Sequence, residues 1–468
     1  MTDNRWSRRS VLASAGVVGA VGVAGCLSDD DSSSTELEDV TPVESDYELS
    51  VDHDGLESWD RYDPDWTPPT DSPLEADLEY EILVENLEVP WDLSFAPDGD
   101  LFISERTGRI HRFGSGELEA VAEPADIIDA EALEPGTDEQ PWWVEGGEGG
   151  LLGIAVHPAY PDPALLYAFY TYDTDDGERN RLVFVDVSAD DPAATETTVI
   201  DDIEGGLVHN GCRLAFGPEN YLWVTTGDAN RNDWEEDVDP ISQELTSLAG
   251  KVLRIEPDGT PAPDNPDLEG GDPRIFSYGH RNPQGISWLP DGTPIVSEHG
   301  PGARDEVMVL APGDNHGWSV ARDAETYPDS EFARPVVNTG PGDTWAPSGC
   351  VFYTGEDVPE WRNRLVVGTL TSQHVNVVTV YPADSEADED EDETPTDDGG
   401  TRYDADWMHE GYDAVSHRTL EDELGRVRHV EQGPDGGLYA ITSNRDGRAD
   451  DGFPTEQDDV LVRLTPAE

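Results

Sequence analysis

Lysine is almost missing from this chain. Lys251 is the only one in 468 residues, and Lys plus Arg number 27 against 103 Asp plus Glu, a formal net charge of −76. That balance excludes a nucleic-acid binder of the usual kind, which needs a basic footprint. It also argues against adhesion to anionic lipid through a polybasic patch. Cysteine is scarce, at three, and neither Cys212 nor Cys350 lies in a CxxC-type metal motif. Outside the cytoplasm those two could close one disulfide, but no spacing rule demands it, and buried small hydrophobes are the expectation. No 3.6-residue apolar period persists anywhere for long. Hydrophobic residues are only 36%, which with high net charge would suggest disorder. The 13 Trp, 15 Tyr, 10 Phe and 46 Gly argue for a folded chain instead. An acidic, lysine-poor, foldable protein is expected to be halophilic. At molar ionic strength a Debye length of about 3 Å screens its self-repulsion.

The first 26 residues read as an address. Ser7-Arg8-Arg9-Ser10-Val11-Leu12 is a twin-arginine (Tat) pattern, followed by an uncharged run at 11–25. That run is too short for a bilayer, which needs roughly 20 residues, but suits a signal peptide. It ends in Val23-Ala24-Gly25-Cys26, which resembles a lipobox with Cys26 as the lipidated residue. The expectation is an exported lipoprotein, held to the outer face of the membrane by its lipid alone. Residues 27–77, acidic and rich in Ser, Thr and Pro, read as a flexible tether.

From residue 78 to 468 one phrase repeats: apolar stretch, Pro-Asp-Gly or a relative, second apolar stretch. The marker prolines are 97, 158, 218, 290, 359 and 434, separated by 61, 60, 72, 69 and 75 residues. Each phrase reads as two alternating strands joined by a tight turn. Six such units predict an all-β, six-bladed β-propeller with long loops on one functional face. An acidic insertion at 383–401 reads as disordered.

Five loop clusters carry candidate chemistry. They contain Glu148; His209 with Asp228; Arg281 and Asn282; Thr344 and Trp345; and Arg426 with Arg428. A neutral imidazole with a carboxylate to orient it is a general-base arrangement, which suits His209 and Asp228. Three arginines retained on one face of so acidic a protein point to a polyanionic ligand held by forked hydrogen bonds. Trp345 offers a flat apolar wall. Taken singly, each of these residues also has an ordinary structural role open to it.

The ordered set Gly150-Leu151-Leu152-Gly153, His209-Asn210-Gly211-Cys212-Arg213-Leu214, Leu248-Ala249-Gly250-Lys251-Val252-Leu253-Arg254-Ile255, Tyr278-Gly279-His280-Arg281-Asn282-Pro283-Gln284-Gly285 and Glu298-His299-Gly300-Pro301 with Asp305-Glu306 resembles the soluble quinoprotein sugar dehydrogenases. The likeness runs from residue 89 to the C-terminus. It implies oxidation of an aldose at its anomeric carbon with pyrroloquinoline quinone (PQQ) and calcium, electrons passing on to an acceptor the sequence does not name. By this resemblance His209 is the base and Asp228 supports it or touches substrate. Arg281 and Asn282 hold the quinone oxygens, Arg426 and Arg428 pair with PQQ carboxylates, and Thr344 and Trp345 lie beside the cofactor plane. Glu148 and Trp345 face the sugar. The carbonyls of Gly300 and Pro301 resemble those that hold calcium against PQQ; Glu306 with the backbone of His316 resembles a second calcium position.

Three departures accompany the likeness. Glu148 stands where Gln is frequent, Cys212 stands where a glycine is common, and no lysine occurs near Thr371, where some members place one on the cofactor. A propeller that binds a glycan or protein without catalysis, and a calcium-dependent lactonase, are the competing readings.

Overall fold

The computed structural model describes residues 40–467 except 138–140, 143, 232–239, 329, 384–398 and 451. The expected export signal with Cys26 and most of the acidic insertion lie outside the described residues.

The described chain holds no α-helix, only six short 3-10 turns, and its strands form six sheets. The first blade comprises Pro90–Phe95, Leu101–Glu105, Arg109–Gly114 and Glu117–Ala122. The second comprises Leu151–Val156, Leu165–Thr174, Gly177–Asp186 and Thr197–Glu204. The third and fourth begin with Leu214–Phe216 and Pro283–Trp288. The fifth begins with Pro347–Tyr353 and has five strands. The sixth begins with Val427–Gln432 and is completed from the other end of the chain: Leu78–Val84 pairs antiparallel with Leu461–Pro466. The expected six-bladed propeller is therefore present, closed by a strand that the repeat pattern did not reveal.

Alternation explains why the ring closes. Within Leu165–Thr174, Tyr167 and Phe169 pack toward the third blade, while Leu166, Ala168 and Tyr170 pack toward the first. A period of two sends successive side chains to opposite faces of a sheet. Every blade does the same, and the buried apolar residues fall into six clusters, one between each successive pair of blades. On the channel axis, Arg213 bonds Trp91 O (2.9 Å), Gln284 O (3.0 Å) and Asp92 Oδ1 (2.5 Å), tying three innermost strands together.

The marker prolines lie in the turn after each innermost strand. In the first, Gly99 takes φ +94° and donates to Ala96 O at 2.9 Å, a conformation glycine adopts without strain. The loops entering the innermost strands, and those after the second strands, emerge on the opposite face. All five candidate clusters lie there.

Residues 40–77 correct one expectation. Instead of a flexible tether they form a strap along the marker-turn face. Val43 N donates to Asp258 O (3.0 Å), Asp63 N to Pro290 O (2.9 Å), and Trp361 Nε1 to Pro73 O (3.1 Å). Leu49 and Trp66 are buried against the blades. Enough apolar surface is interspersed among the acids to offset the cost of ordering the chain.

Candidate active site

His209 sits in the loop entering the third blade and Asp228 in the loop after that blade's second strand. They meet because two backbones nearly touch. A Cβ at position 227 would lie 2.0 Å from the His209 carbonyl, so only glycine fits. His209 itself has φ 62°, a left-handed conformation that a side chain adopts at a cost and that recurs at functional sites. Asp228 Oδ1 lies 2.8 Å from His209 Nδ1. Its other oxygen accepts Trp318 Nε1 at 2.6 Å, and Asn230 N donates to Oδ1 at 2.7 Å. The carboxylate is thus fixed from three directions and fixes the ring in turn, leaving Nε2 as the nitrogen away from Asp228.

Beside this pair is a cluster of buried charge. Asp446 accepts Arg426 (2.8 Å) and lies 3.7 Å from Arg428 and 3.6 Å from Arg448. Arg448 reaches Glu148 Oε1 at 2.9 Å, and Glu148 Oε2 accepts the His209 backbone N–H at 3.1 Å. Arg106 is the fourth guanidinium; its Nε donates to Gly149 O at 3.0 Å. Burial would raise the carboxyls of Asp446 and Glu148, but the arginines outweigh it and hold both below the usual carboxylate range. Four guanidiniums around two carboxylates leave two positive charges in excess, inside a protein of net charge −76. Such a cluster suits an anionic ligand.

Arg281 lies across the site from that cluster in sequence, entering the fourth blade. Its Nη1 donates to His299 O at 2.9 Å and its guanidinium lies 5.5 Å from the Trp318 ring centre. Asn282 Oδ1 accepts Gly211 N at 3.0 Å, which ties the His209 loop to the fourth blade. Asn282 Nδ2, Arg281 Nε, Arg428 Nε and His299 Nε2 are buried with no hydrogen-bond partner. Orphaned buried donors are rare in native proteins. Those on Asn282, Arg281 and Arg428 are donors that suit a ligand rich in oxygen acceptors.

Gly300, Pro301, Glu306 and His316 line one small chamber together with Glu298 and Trp318. Among the described residues no group of three His, Cys, Asp or Glu is placed to hold a metal. The chamber's oxygens are carboxylate and carbonyl. Burial pushes the Glu298 carboxyl up to about 8 and Glu306 well above its ordinary value, Glu298 adding to the latter. Glu306 accepts Asn338 Nδ2 at 2.7 Å, and the His316 carbonyl accepts Tyr327 OH at 3.3 Å.

Thr344 and Trp345 are both engaged within the protein. The Thr344 hydroxyl is engaged with Asp305 Oδ2 at 3.0 Å. Trp345 is 1% exposed and packs edge-on to Tyr403, 6.3 Å between centroids, in the core between the fourth and fifth blades. It is a core residue and not an open wall, because a ring of that size gains most by full burial. Cys212 and Cys350 are both buried free thiols, as expected of small hydrophobes.

Arg106, Asp446 and Arg448 escaped the sequence reading. The available signal was positional: Arg106, Asp228, His299 and Asp446 each follow the second strand of a blade.

A propeller carrying a base pair and an arginine cluster on one face defines a class but no single chemistry. The family model for glucose/sorbosone dehydrogenases matches residues 87–451. The chain belongs to that family. It is 28% identical over 390 residues to the aldose sugar dehydrogenase YliI of Escherichia coli, covering 80% of this chain and 92% of that one. It is 30% identical over 264 residues to quinoprotein glucose dehydrogenase B of Acinetobacter calcoaceticus, 52% of each chain. The PQQ-bound aldose sugar dehydrogenase of Streptomyces coelicolor superposes with a TM-score of 0.63 at 29% identity, covering 85% of this chain and 99% of that one.

Proposed function

We propose that the protein oxidises aldoses at the anomeric carbon with PQQ, as an exported, lipid-anchored enzyme adapted to high salt. One observation carries the reading: a His–Asp base pair adjoins a buried cluster with two excess positive charges and several unfilled donors. PQQ carries carboxylates and quinone oxygens, and these donors match both. When bound, PQQ would supply the two-electron acceptor for the hydride lost from the sugar carbon.

The remaining work falls to this chain. His209 Nε2 takes the anomeric hydroxyl proton, while Asp228 holds the ring in one tautomer and stabilises the imidazolium that forms. Arg281 and Asn282 Nδ2 hold the quinone oxygens, with Arg281 offsetting negative charge as it develops. Arg426 and Arg428 hold carboxylates. Calcium is proposed for the chamber of Gly300, Pro301, Glu306 and the His316 carbonyl. A hard cation there would neutralise carboxylates that burial otherwise penalises.

The test is reconstitution in molar salt with PQQ, calcium and a panel of aldoses, following dye reduction, with His209→Ala as control. Sugar-dependent reduction that needs PQQ and vanishes in the variant supports the reading. Folded protein that binds no PQQ sinks it and leaves a binding propeller.

A further inference from the structure

One buried charge has no task in that mechanism. Arg106 is fully buried, and its Nη1 and Nη2 meet no acceptor. Its nearest charges are Asp446 and Glu148, both already paired with other arginines, and the guanidiniums of Arg448, Arg426 and Arg428. Burial and those like charges lower its pKa to about 10, so it stays a cation at neutral pH. The backbone is built to seat it: a Cβ at position 150 would stand 2.3 Å from the Arg106 carbonyl, which requires glycine there. A structural arginine finds its acceptors within the protein, because an unpaired buried charge is strongly disfavoured. Here the free edge of a rigid fork is left, suited to bidentate capture of a carboxylate.

We propose that Arg106 is an anion-binding residue of this site, its Nη1–Nη2 edge taking one carboxylate of a planar polycarboxylate. On the functional reading above, that ligand is PQQ. Arg106 then supplies the cation that some relatives place on a lysine, absent here near Thr371.

The experiment titrates the full chain, Arg106→Gln and Arg106→Lys with PQQ and, separately, with pyridine-2,6-dicarboxylate, following tryptophan fluorescence. The ligand-free melting temperature is the control. Arg106→Gln is expected to weaken both probes at least tenfold and Arg106→Lys by less. The ligand-free melting temperature should hold or rise, since the change to Gln removes an uncompensated charge. Unchanged affinity in Arg106→Gln overturns the assignment. So does a loss of affinity that Arg106→Lys does not lessen and that comes with a lower ligand-free melting temperature, since the residue would then be structural. If wild type binds the dicarboxylate but not PQQ, the functional reading fails and Arg106 is judged on the dicarboxylate alone. Binding of neither probe by wild type overturns both.

Discussion

Asp228 holds His209 Nδ1 at 2.8 Å while its second oxygen receives Trp318 Nε1 at 2.6 Å. The geometry separates two jobs. On the proposed mechanism His209 would move the proton, and Asp228 and Trp318 would keep the ring aimed. His209→Ala should therefore abolish measurable turnover. Asp228→Asn should lower kcat by roughly 10²–10³, within the range a positioned base contributes. Trp318→Phe should lower it by about tenfold, since it frees only one carboxylate oxygen. Steady-state kinetics at saturating PQQ would check this order. Unchanged kcat in Asp228→Asn would mean that the ring is not held through Asp228.

Glu148 joins Arg448 to the His209 backbone, and the arginine keeps its carboxyl ionised against burial. Glu148→Gln keeps an acceptor for the His209 N–H but removes a charge that Arg448 faces. The ligand-free protein should then melt a few degrees lower, because a buried cation loses a counter-charge. An unchanged melting temperature would show that Asp446, 3.6 Å from Arg448, balances it without Glu148.

Asp446 accepts from Arg426 and is the shared counter-charge of Arg428 and Arg448, 3.7 and 3.6 Å away. Asp446→Asn strands buried cations, and breaking such a pair costs about 3–5 kcal/mol. The ligand-free protein should melt several degrees lower. Saturating PQQ should restore part of the loss, because a ligand that binds only the folded state stabilises it. Thermal scans with and without PQQ would check both parts.

How much of this was legible in sequence follows from where information is local. Marker turns such as Pro97-Asp98-Gly99 and the alternation of Leu165–Thr174 are short-range patterns, so the blade count could be read from them. His209 and Arg281 stand inside recognisable phrases, and Asp228 and Arg426 in loop clusters that drew notice beside them. Arg106 and Asp446 stand in neither, although each occupies the place in its blade that Asp228 occupies in the third. The burial of Trp345 was not legible for a related reason: its phrase fixes the loop but not which way the ring turns. The closing strand Leu78–Val84 has no marker turn, and its partner lies at the far end of the chain.

Asp459 gives the fold a pH dependence of its own. It is buried beside Asp458, with Oδ2 accepting Val89 N at 3.1 Å and Oδ1 accepting Thr442 Oγ1 at 3.2 Å. Burial and the Asp458 charge push its carboxyl up to about 7. A carboxyl raised in the folded state binds a proton there that the unfolded chain has already lost. Its stabilising contribution is complete below about pH 4 and declines as pH rises to about 7, by at most about 1.4 kcal/mol per unit. Asp459→Asn should flatten this part of the melting-temperature profile. An unchanged slope would assign the dependence to other groups.

The strap at 40–77 makes the last prediction. It crosses from Val43 on the third blade to Trp66 against Phe352 of the fifth, 5.3 Å between ring centroids, before entering the strand that closes the sixth. It also lines the channel mouth opposite the candidate site, through Trp59, Asp60 and Arg61. A chain beginning at residue 78 keeps every blade strand but exposes the surface that Leu49 and Trp66 cover. Each large apolar side chain loses about 1.5–3 kcal/mol when its burial is undone. The shortened protein should still form the propeller and still bind PQQ, because the strap touches only the far face. It should melt several degrees lower and show more exposed apolar surface by dye binding. An unchanged melting temperature would mean that the strap's contacts only offset the entropy of ordering it. Lost PQQ binding in a folded, shortened chain would mean that the strap's grip on the blades is felt across the channel, at the face where His209 and the arginines lie.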